Sequence, residues 1–102
     1  MSAGAPSATI YSGCKAALEA FTRGAAQELA PTVRVNCVAP GVIETPFHDQ
    51  YSTADRMERF REDTPLKRNG QARHIAETIR FLLENDFITG ETIDVNGGLF
   101  IR

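Results

Sequence analysis

Two short segments rich in β-branched residues, each closed by a glycine turn, constrain most strongly how this chain of 102 residues folds. Residues 32–37 read Thr-Val-Arg-Val-Asn-Cys and lead to a Pro-Gly pair at 40–41, while residues 91–96 read Glu-Thr-Ile-Asp-Val-Asn and lead to a Gly-Gly pair at 97–98. Both patterns predict a strand stopped by a turn. The first strand has apolar residues on both faces, which favours a parallel sheet covered by helices on its two sides.

Helical periodicity occupies the rest of the chain. A first helix is predicted at residues 11–29, and it ends there because Pro31 disfavours the helical state of the residue before it. The charged segment 47–64 contains a helix beginning near Ala54, and residues 72–84 form another helix. The predicted order is helix, strand, helix, helix, strand, which is an α/β fold.

The composition excludes several classes of function. Hydrophobic residues make up 42% and charged residues 24%, as in ordinary folded domains. The net charge is −2 with both signs interspersed, so we expect no nucleic-acid partner, and no apolar run is long enough for a membrane span. Residues 1–4 lack signal-peptide character, and Cys14 and Cys37 are expected to be buried reduced thiols without metal-ligand spacing. These features predict a cytoplasmic protein.

A tyrosine and a lysine four residues apart form the candidate catalytic pair. On a helix, Tyr11 and Lys15 lie one turn apart on the same face. Phenols ionise near about pH 10, and a neighbouring ammonium favours the phenolate and lowers the pKa of the phenol. Such a pair suits general acid/base catalysis near neutral pH. Taken alone, the spacing is equally explained by a surface tyrosine and lysine without chemistry.

Three motifs in this order resemble the C-terminal part of the short-chain dehydrogenase/reductase family. They are YSGCKAAL at residues 11–18, VRVNCVAPGVIETPF at 33–47 and ITGETIDVNGG at 88–98. The resemblance implies that residues 1–102 are a C-terminal fragment of one NAD(P)-binding Rossmann-type domain with a doubly wound parallel sheet, and that residues 47–64 are the substrate lid. The family's Gly-rich pyrophosphate loop and its catalytic serine and asparagine have no counterpart in this sequence.

The activity implied by the resemblance is reversible hydride transfer between NAD or NADP and a carbonyl or secondary alcohol, as in 3-oxoacyl reductases or sugar and alcohol dehydrogenases. Tyr11 would exchange the proton with the substrate oxygen, and Lys15 would hold the ribose of the nicotinamide. With part of the cofactor site missing, the isolated chain is expected to be inactive. The resemblance also implies cofactor contacts at Pro40, Gly41, Val42 and Thr45. It implies substrate contacts at His48, Tyr51, Met57 and Phe60.

Explanations without a catalytic function remain open for several of these features. The Pro40–Thr45 segment is also explained by a plain turn, and the lid residues by a solvated surface helix. Leu18, Phe21, Ala25 and Leu29 form an apolar stripe on the first helix. In the family this helix packs against another subunit, so we expect a homo-oligomer (dimer or tetramer) of the intact protein, although burial against its own sheet explains the same stripe. The hypothesis from a different class is a non-catalytic interaction module that associates with full-length relatives.

Overall fold

The computed structural model describes residues 8–44 and 54–100. Its elements, in chain order, are helix α1 (Ala8–Leu29), strand β1 (Cys37–Pro40), strand β2 (Ile43–Glu44), helix α2 (Ala54–Asp63), strand β3 (Gly70–Gln71), helix α3 (Ala72–Glu84) and strand β4 (Thr92–Val95). They divide into two compact units, residues 8–37 with 82–93 and residues 38–44 with 54–81 and 94–100. The predicted α/β series is confirmed, and two strands of two residues each, β2 and β3, are added to it.

Strands β1 and β4 are neighbours in a two-stranded sheet. At one end, the Cys37 N–H donates to the Glu91 carbonyl at 2.8 Å; at the other, the Gly41 N–H donates to the Val95 carbonyl at 2.9 Å. Both partners advance along the chain in the same direction, so the two strands are parallel. Strands β2 and β3 also pair in parallel. The parallel sheet predicted from the apolar strand is therefore present.

The first strand begins later than the sequence pattern predicts. The prediction placed it at residues 32–37, whereas β1 begins at Cys37. In the preceding residues two side chains interrupt the ladder. The Gly90 N–H donates to the Val35 carbonyl at 2.7 Å, but the Val35 N–H donates to Thr89 Oγ1 and the Glu91 N–H donates to Asn36 Oδ1, both at 3.1 Å. The β-branched residues thus mark an extended segment, but the regular ladder that defines a strand starts further along.

Helix α1 ends at Leu29 as predicted, and small side chains form its buried face. The most buried side chains are Thr22, at 2% exposure, and Ala26, at 4%. Because these side chains are small, the loop residue Gly90 approaches Ala26 closely: a Cβ built at Gly90 would lie 3.4 Å from the Ala26 Cβ. The predicted apolar stripe is largely exposed, with Leu18 at 53%, Phe21 at 67% and Leu29 at 47%.

The two later helices lie where the sequence predicts them. Helix α2 starts at Ala54, and α3 spans Ala72–Glu84. Each contributes one buried apolar side chain, Met57 and Leu82 respectively.

The expectation of a buried thiol at Cys14 is wrong, because that residue is exposed on α1. None of the helices in the described ranges is both long enough and apolar enough to cross a membrane.

Arg34 fastens the end of α3 to the segment before β1. Its Nη1 donates to the Leu82 carbonyl at 2.9 Å and to the Ile88 carbonyl at 3.1 Å, and its Nη2 donates to the Leu83 carbonyl at 3.3 Å. Carbonyls in the last turn of a helix have no intrahelical partner, and a cation there matches the negative end of the helix dipole. Asn36 Nδ2 donates to the same Ile88 carbonyl at 3.0 Å. The loop that leads into β4 is therefore held by two side chains.

We predict that Arg34→Met, which keeps most of the side-chain volume but removes these donors, lowers the free energy of unfolding by about 1–3 kcal/mol. Urea denaturation of the protein expressed from its complete reading frame, followed by circular dichroism, measures the change. Arg23→Met on the exposed surface of α1 is the matched control and should shift stability by less than about 0.5 kcal/mol. Equal losses in the two variants would contradict the assigned role of Arg34.

Candidate functional site

Helix α1 places positions 11 and 15 one helical turn apart. Four residues correspond to slightly more than one turn, so Tyr11 and Lys15 are attached to the same face of the helix. Position 11 is in the first turn, at the end where the helix dipole is positive. The Lys15 side chain is half-buried, and the Tyr11 side chain lies outside the described part of the structure. At the backbone level, the predicted Tyr-x-x-x-Lys arrangement on a helix is present.

The Pro40–Val42 segment follows the carboxyl end of β1, in the second unit. Its backbone is fixed at two points: the Gly41 N–H donates to the Val95 carbonyl, and the Val42 carbonyl accepts from the Gly70 N–H, both at 2.9 Å. Within residues 8–44 and 54–100, the Gly41 carbonyl and the Val42 N–H have no hydrogen-bond partner. Ligands of open α/β sheets bind at the carboxyl ends of the strands. One backbone donor and one backbone acceptor at this edge match the complementary groups of a primary carboxamide.

Gly41 is required by the close approach of the end of β4. A Cβ built at Gly41 would lie 2.6 Å from the Asn96 Cβ and 2.8 Å from the Asn96 Cα. Contacts this short cannot be relieved by rotating a side chain, since one of the atoms belongs to the backbone. Asn96 is itself fixed, because its Oδ1 accepts from the Gly98 N–H at 2.9 Å and its Nδ2 donates to the Phe100 carbonyl at 2.8 Å. The glycine therefore determines where the Pro40–Val42 segment lies.

We predict that Gly41→Ala destabilises the protein by about 1–3 kcal/mol, because the added methyl group forces β1 and the end of β4 apart. Gly24→Ala is the matched control: Gly24 is inside α1, and an added Cβ would meet no atom within 4 Å. That control should gain about 0.5–1 kcal/mol from the higher helix propensity of alanine. Thermal unfolding of both variants checks the opposite signs, and a stabilised Gly41→Ala would refute the close approach.

The residues expected to contact substrate are described only in part. His48 and Tyr51, together with the expected cofactor contact Thr45, fall in residues 45–53, outside the described ranges. Met57 is buried at 9% exposure in α2, and Phe60 is half-buried beneath the Arg56 guanidinium, which lies 5.8 Å from its ring centroid. Met57 and Phe60 thus form a thin apolar edge on α2. A role of Met57 and Phe60 in a substrate pocket stays a prediction.

A polar cluster between α2 and β2 was missed by sequence reasoning. Asn69 is only 6% exposed, and its Nδ2 donates to the Met57 carbonyl at 3.1 Å and to Glu44 Oε1 at 3.4 Å. Arg61 Nη1 lies 3.7 Å from the same Glu44 oxygen, and its Nη2 pairs with Glu58. No pattern in the sequence marks this cluster, because an asparagine before a glycine in a connector is typical of an ordinary turn.

Comparison with known proteins agrees with the motifs. A family model described as enoyl-(acyl carrier protein) reductase matches residues 1–100. The 3-oxoacyl-(acyl-carrier-protein) reductase of Aquifex aeolicus (strain VF5) is 44% identical over 93 residues, which cover 88% of this chain and 37% of that relative. The tropinone reductase-like 3 protein of Erythroxylum coca is 43% identical over 95 residues, covering 90% of this chain and 37% of that protein.

Solved structures give the same result. The short-chain dehydrogenase/reductase (glucose/ribitol dehydrogenase) of Brucella melitensis superposes with a TM-score of 0.83 at 44% identity, over 97% of this chain and 41% of that one. A small-chain dehydrogenase in complex with NADPH superposes with a TM-score of 0.74 at 38% identity, over 82% of this chain and 39% of that one. A third similar structure is 4-hydroxyisoleucine dehydrogenase complexed with NADH, with a TM-score of 0.77 at 30% identity, over 87% of this chain and 38% of that one.

The parallel pairing of β1 with β4 and these superpositions define a partial Rossmann-like α/β fold. The chain belongs to the short-chain dehydrogenase/reductase family, as the three sequence motifs predicted. It spans less than half the length of the relatives and structures described above.

Proposed function

We propose that this chain carries the proton-transfer pair and part of the cofactor site of an NAD(P)-dependent oxidoreductase that acts on a carbonyl or secondary alcohol. The observation that carries the proposal is the position of Tyr11 and Lys15 one turn apart on α1. The helix backbone places the two side chains on one face, one turn apart, as a proton-transfer pair requires. Membership of an oxidoreductase family supports redox chemistry rather than hydrolysis for this pair.

In this proposal Tyr11 donates a proton to the carbonyl oxygen during reduction and accepts the hydroxyl proton during oxidation. The Lys15 ammonium stabilises the phenolate that forms when the proton leaves, and it donates hydrogen bonds to the ribose hydroxyls. The nicotinamide supplies or accepts the hydride. The protein contributes position and charge, so both residues are needed at the same step.

The Pro40–Val42 segment is proposed to bind the carboxamide of the nicotinamide. Support comes from the Gly41 carbonyl and the Val42 N–H, which the internal hydrogen bonds leave unused. The next candidate contact in the sequence is the Thr45 hydroxyl. Relatives of similar fold are complexed with NADPH in one case and NADH in another, so the proposal covers both cofactors.

The substrate is proposed to be a 3-oxoacyl thioester or a sugar or other alcohol, held by the 47–64 lid. Similarity to a 3-oxoacyl-(acyl-carrier-protein) reductase supports the first class, and similarity to a glucose/ribitol dehydrogenase supports the second. Assembly as a homo-oligomer in the cytoplasm is also proposed. Its support is the exposed stripe of α1, where Phe21 presents 67% of its surface for another subunit to cover.

We predict that Tyr11→Phe lowers kcat by at least about 100-fold in the protein expressed from its complete reading frame, because phenylalanine cannot exchange the proton. Lys15→Met should both lower kcat and raise the cofactor KM, since the ammonium serves both roles. Absorbance of NAD(P)H at saturating and limiting cofactor, with a panel of 3-oxoacyl thioesters and ketones, separates the two effects. Glu77→Gln on the surface of α3 is the control and should keep wild-type rates. Undiminished turnover in Tyr11→Phe would rule out the proposed acid.

A second prediction concerns the 102-residue chain expressed alone. It should show no NAD(P)H oxidation with the same substrates, because the sequence has no Gly-rich loop to receive the pyrophosphate and no serine about a dozen residues before Tyr11. The assay that decides is the same absorbance measurement at high protein concentration. A rate that disappears in Tyr11→Phe would show that the chain is catalytically sufficient and would overturn this prediction.

A further inference from the structure

Asn69, in the connector between α2 and β3, makes contacts that the proposed chemistry does not use. Its amide donates to the Met57 carbonyl, in the middle of α2, and to the Glu44 carboxylate at the end of β2. These partners are 12 and 25 residues away in the sequence. Glu44 directly precedes Thr45, the proposed cofactor contact. The buried Asn69 side chain therefore connects α2 with the segment that leads to the proposed cofactor site.

Stability alone does not explain an asparagine at this position. The Asn69 Oδ1 is buried without a hydrogen-bond partner among the described residues. A buried, unpaired acceptor costs about 1–3 kcal/mol, and a leucine of similar size would avoid that cost. Losing the amide leaves the Met57 carbonyl satisfied, because a carbonyl inside a helix accepts from the N–H four residues later. The two hydrogen bonds donated by Asn69 must therefore serve position rather than net stability.

The residue that follows Asn69 shows what is being positioned. The Gly70 N–H donates to the Val42 carbonyl at 2.9 Å, and Gly70 pairs with Ile43 across the two short strands. The approach is close, since a Cβ built at Gly70 would lie 2.6 Å from the Ile43 Cδ1. Two residues per strand make a weak ladder, and a weak ladder needs further contacts to hold its register. Asn69 supplies such contacts, because it directly precedes Gly70 in β3 and donates to Glu44 in β2 and to Met57 in α2.

We propose that Asn69 is a positioning residue for the cofactor site. By linking Glu44 to α2, it holds the β2–β3 ladder and thereby the backbone of Val42. The Val42 N–H has no partner in the described part of the chain and would donate to the nicotinamide carboxamide. Arg61 adds an ion pair to Glu44 at 3.7 Å, but that pair is partly exposed and contributes little by itself. This inference rests on the proposed function for its effect on catalysis. Its effect on the ladder does not depend on that function.

The decisive variant is Asn69→Leu, compared with Glu77→Gln as a surface control on α3, in the protein expressed from its complete reading frame. A positioning role predicts an unchanged or higher midpoint of thermal unfolding, because the unpaired acceptor is gone. It also predicts hydrogen exchange of the Gly70 amide about tenfold faster than in the control, with the amides of α3 unchanged. The cofactor KM should rise about tenfold while kcat at saturating cofactor changes less than about twofold.

A purely structural role predicts the reverse pattern, namely a lower unfolding midpoint with wild-type Gly70 exchange and wild-type cofactor KM in the surviving folded protein. That result overturns the proposal. If Asn69→Leu does not fold, Glu44→Ala is the second variant. It removes the exposed carboxylate that accepts the hydrogen bond from Asn69, and it must reproduce the faster hydrogen exchange of the Gly70 amide. If the wild-type protein neither binds nor turns over NAD(P)H, the proposed function fails. The exchange comparison then still decides whether Asn69 holds the ladder.

Discussion

The parallel pairing of β1 with β4 is the constraint on which the rest of this structure depends. Two hydrogen bonds, from Cys37 to Glu91 and from Gly41 to Val95, join residues 54 positions apart in the sequence. Local propensity cannot enforce so distant a contact, and its entropic cost is met by burial and side-chain hydrogen bonds. Arg34 holds the loop that precedes β4, and the absence of a side chain at Gly41 lets the two strands meet at their carboxyl ends. Ligands of open α/β sheets bind at the carboxyl ends of the strands, which is where the proposed cofactor contacts lie.

The sequence predicted the helices better than the strands. Helix α3 was predicted with its observed bounds, because 13 residues of clear periodicity outweigh any single contact. The start of β1 was wrong, since whether Val35 belongs to a strand depends on the Thr89 hydroxyl, which replaces a backbone partner. The sequence also left open whether the apolar stripe of α1 is buried within the chain or against another subunit. Periodicity locates an apolar stripe, but it cannot tell whether the rest of the chain covers it, and here Thr22 and Ala26 face inward instead.

The residues of the candidate site likewise divide into those that the sequence identifies and those that only the folded chain brings together. Tyr11 and Lys15 could be identified from their spacing and from the motifs around them, since helix geometry fixes which side chains share a face. Gly41 and Val42 could be placed at a strand end, because the Pro-Gly pair at 40–41 predicts the turn that stops the strand. Asn69 could not be found, because its two partners, the Met57 carbonyl and the Glu44 carboxylate, are distant in the sequence and meet it only in the folded chain. Strands of two residues, such as those carrying Glu44 and Gly70, are also too short to leave a pattern in the sequence.

The central claim is that an ammonium one turn from the phenol makes Tyr11 an effective base near neutral pH. The most direct test is the pH dependence of alcohol oxidation at saturating cofactor, compared between wild type and Lys15→Met. Oxidation needs the phenolate, so its rate rises with pH through the pKa of Tyr11. Removing the ammonium should move that rise to higher pH, while Lys67→Met, a lysine that caps the end of α2 through the Glu62 carbonyl, should leave it in place. A profile that does not move in Lys15→Met would contradict the account.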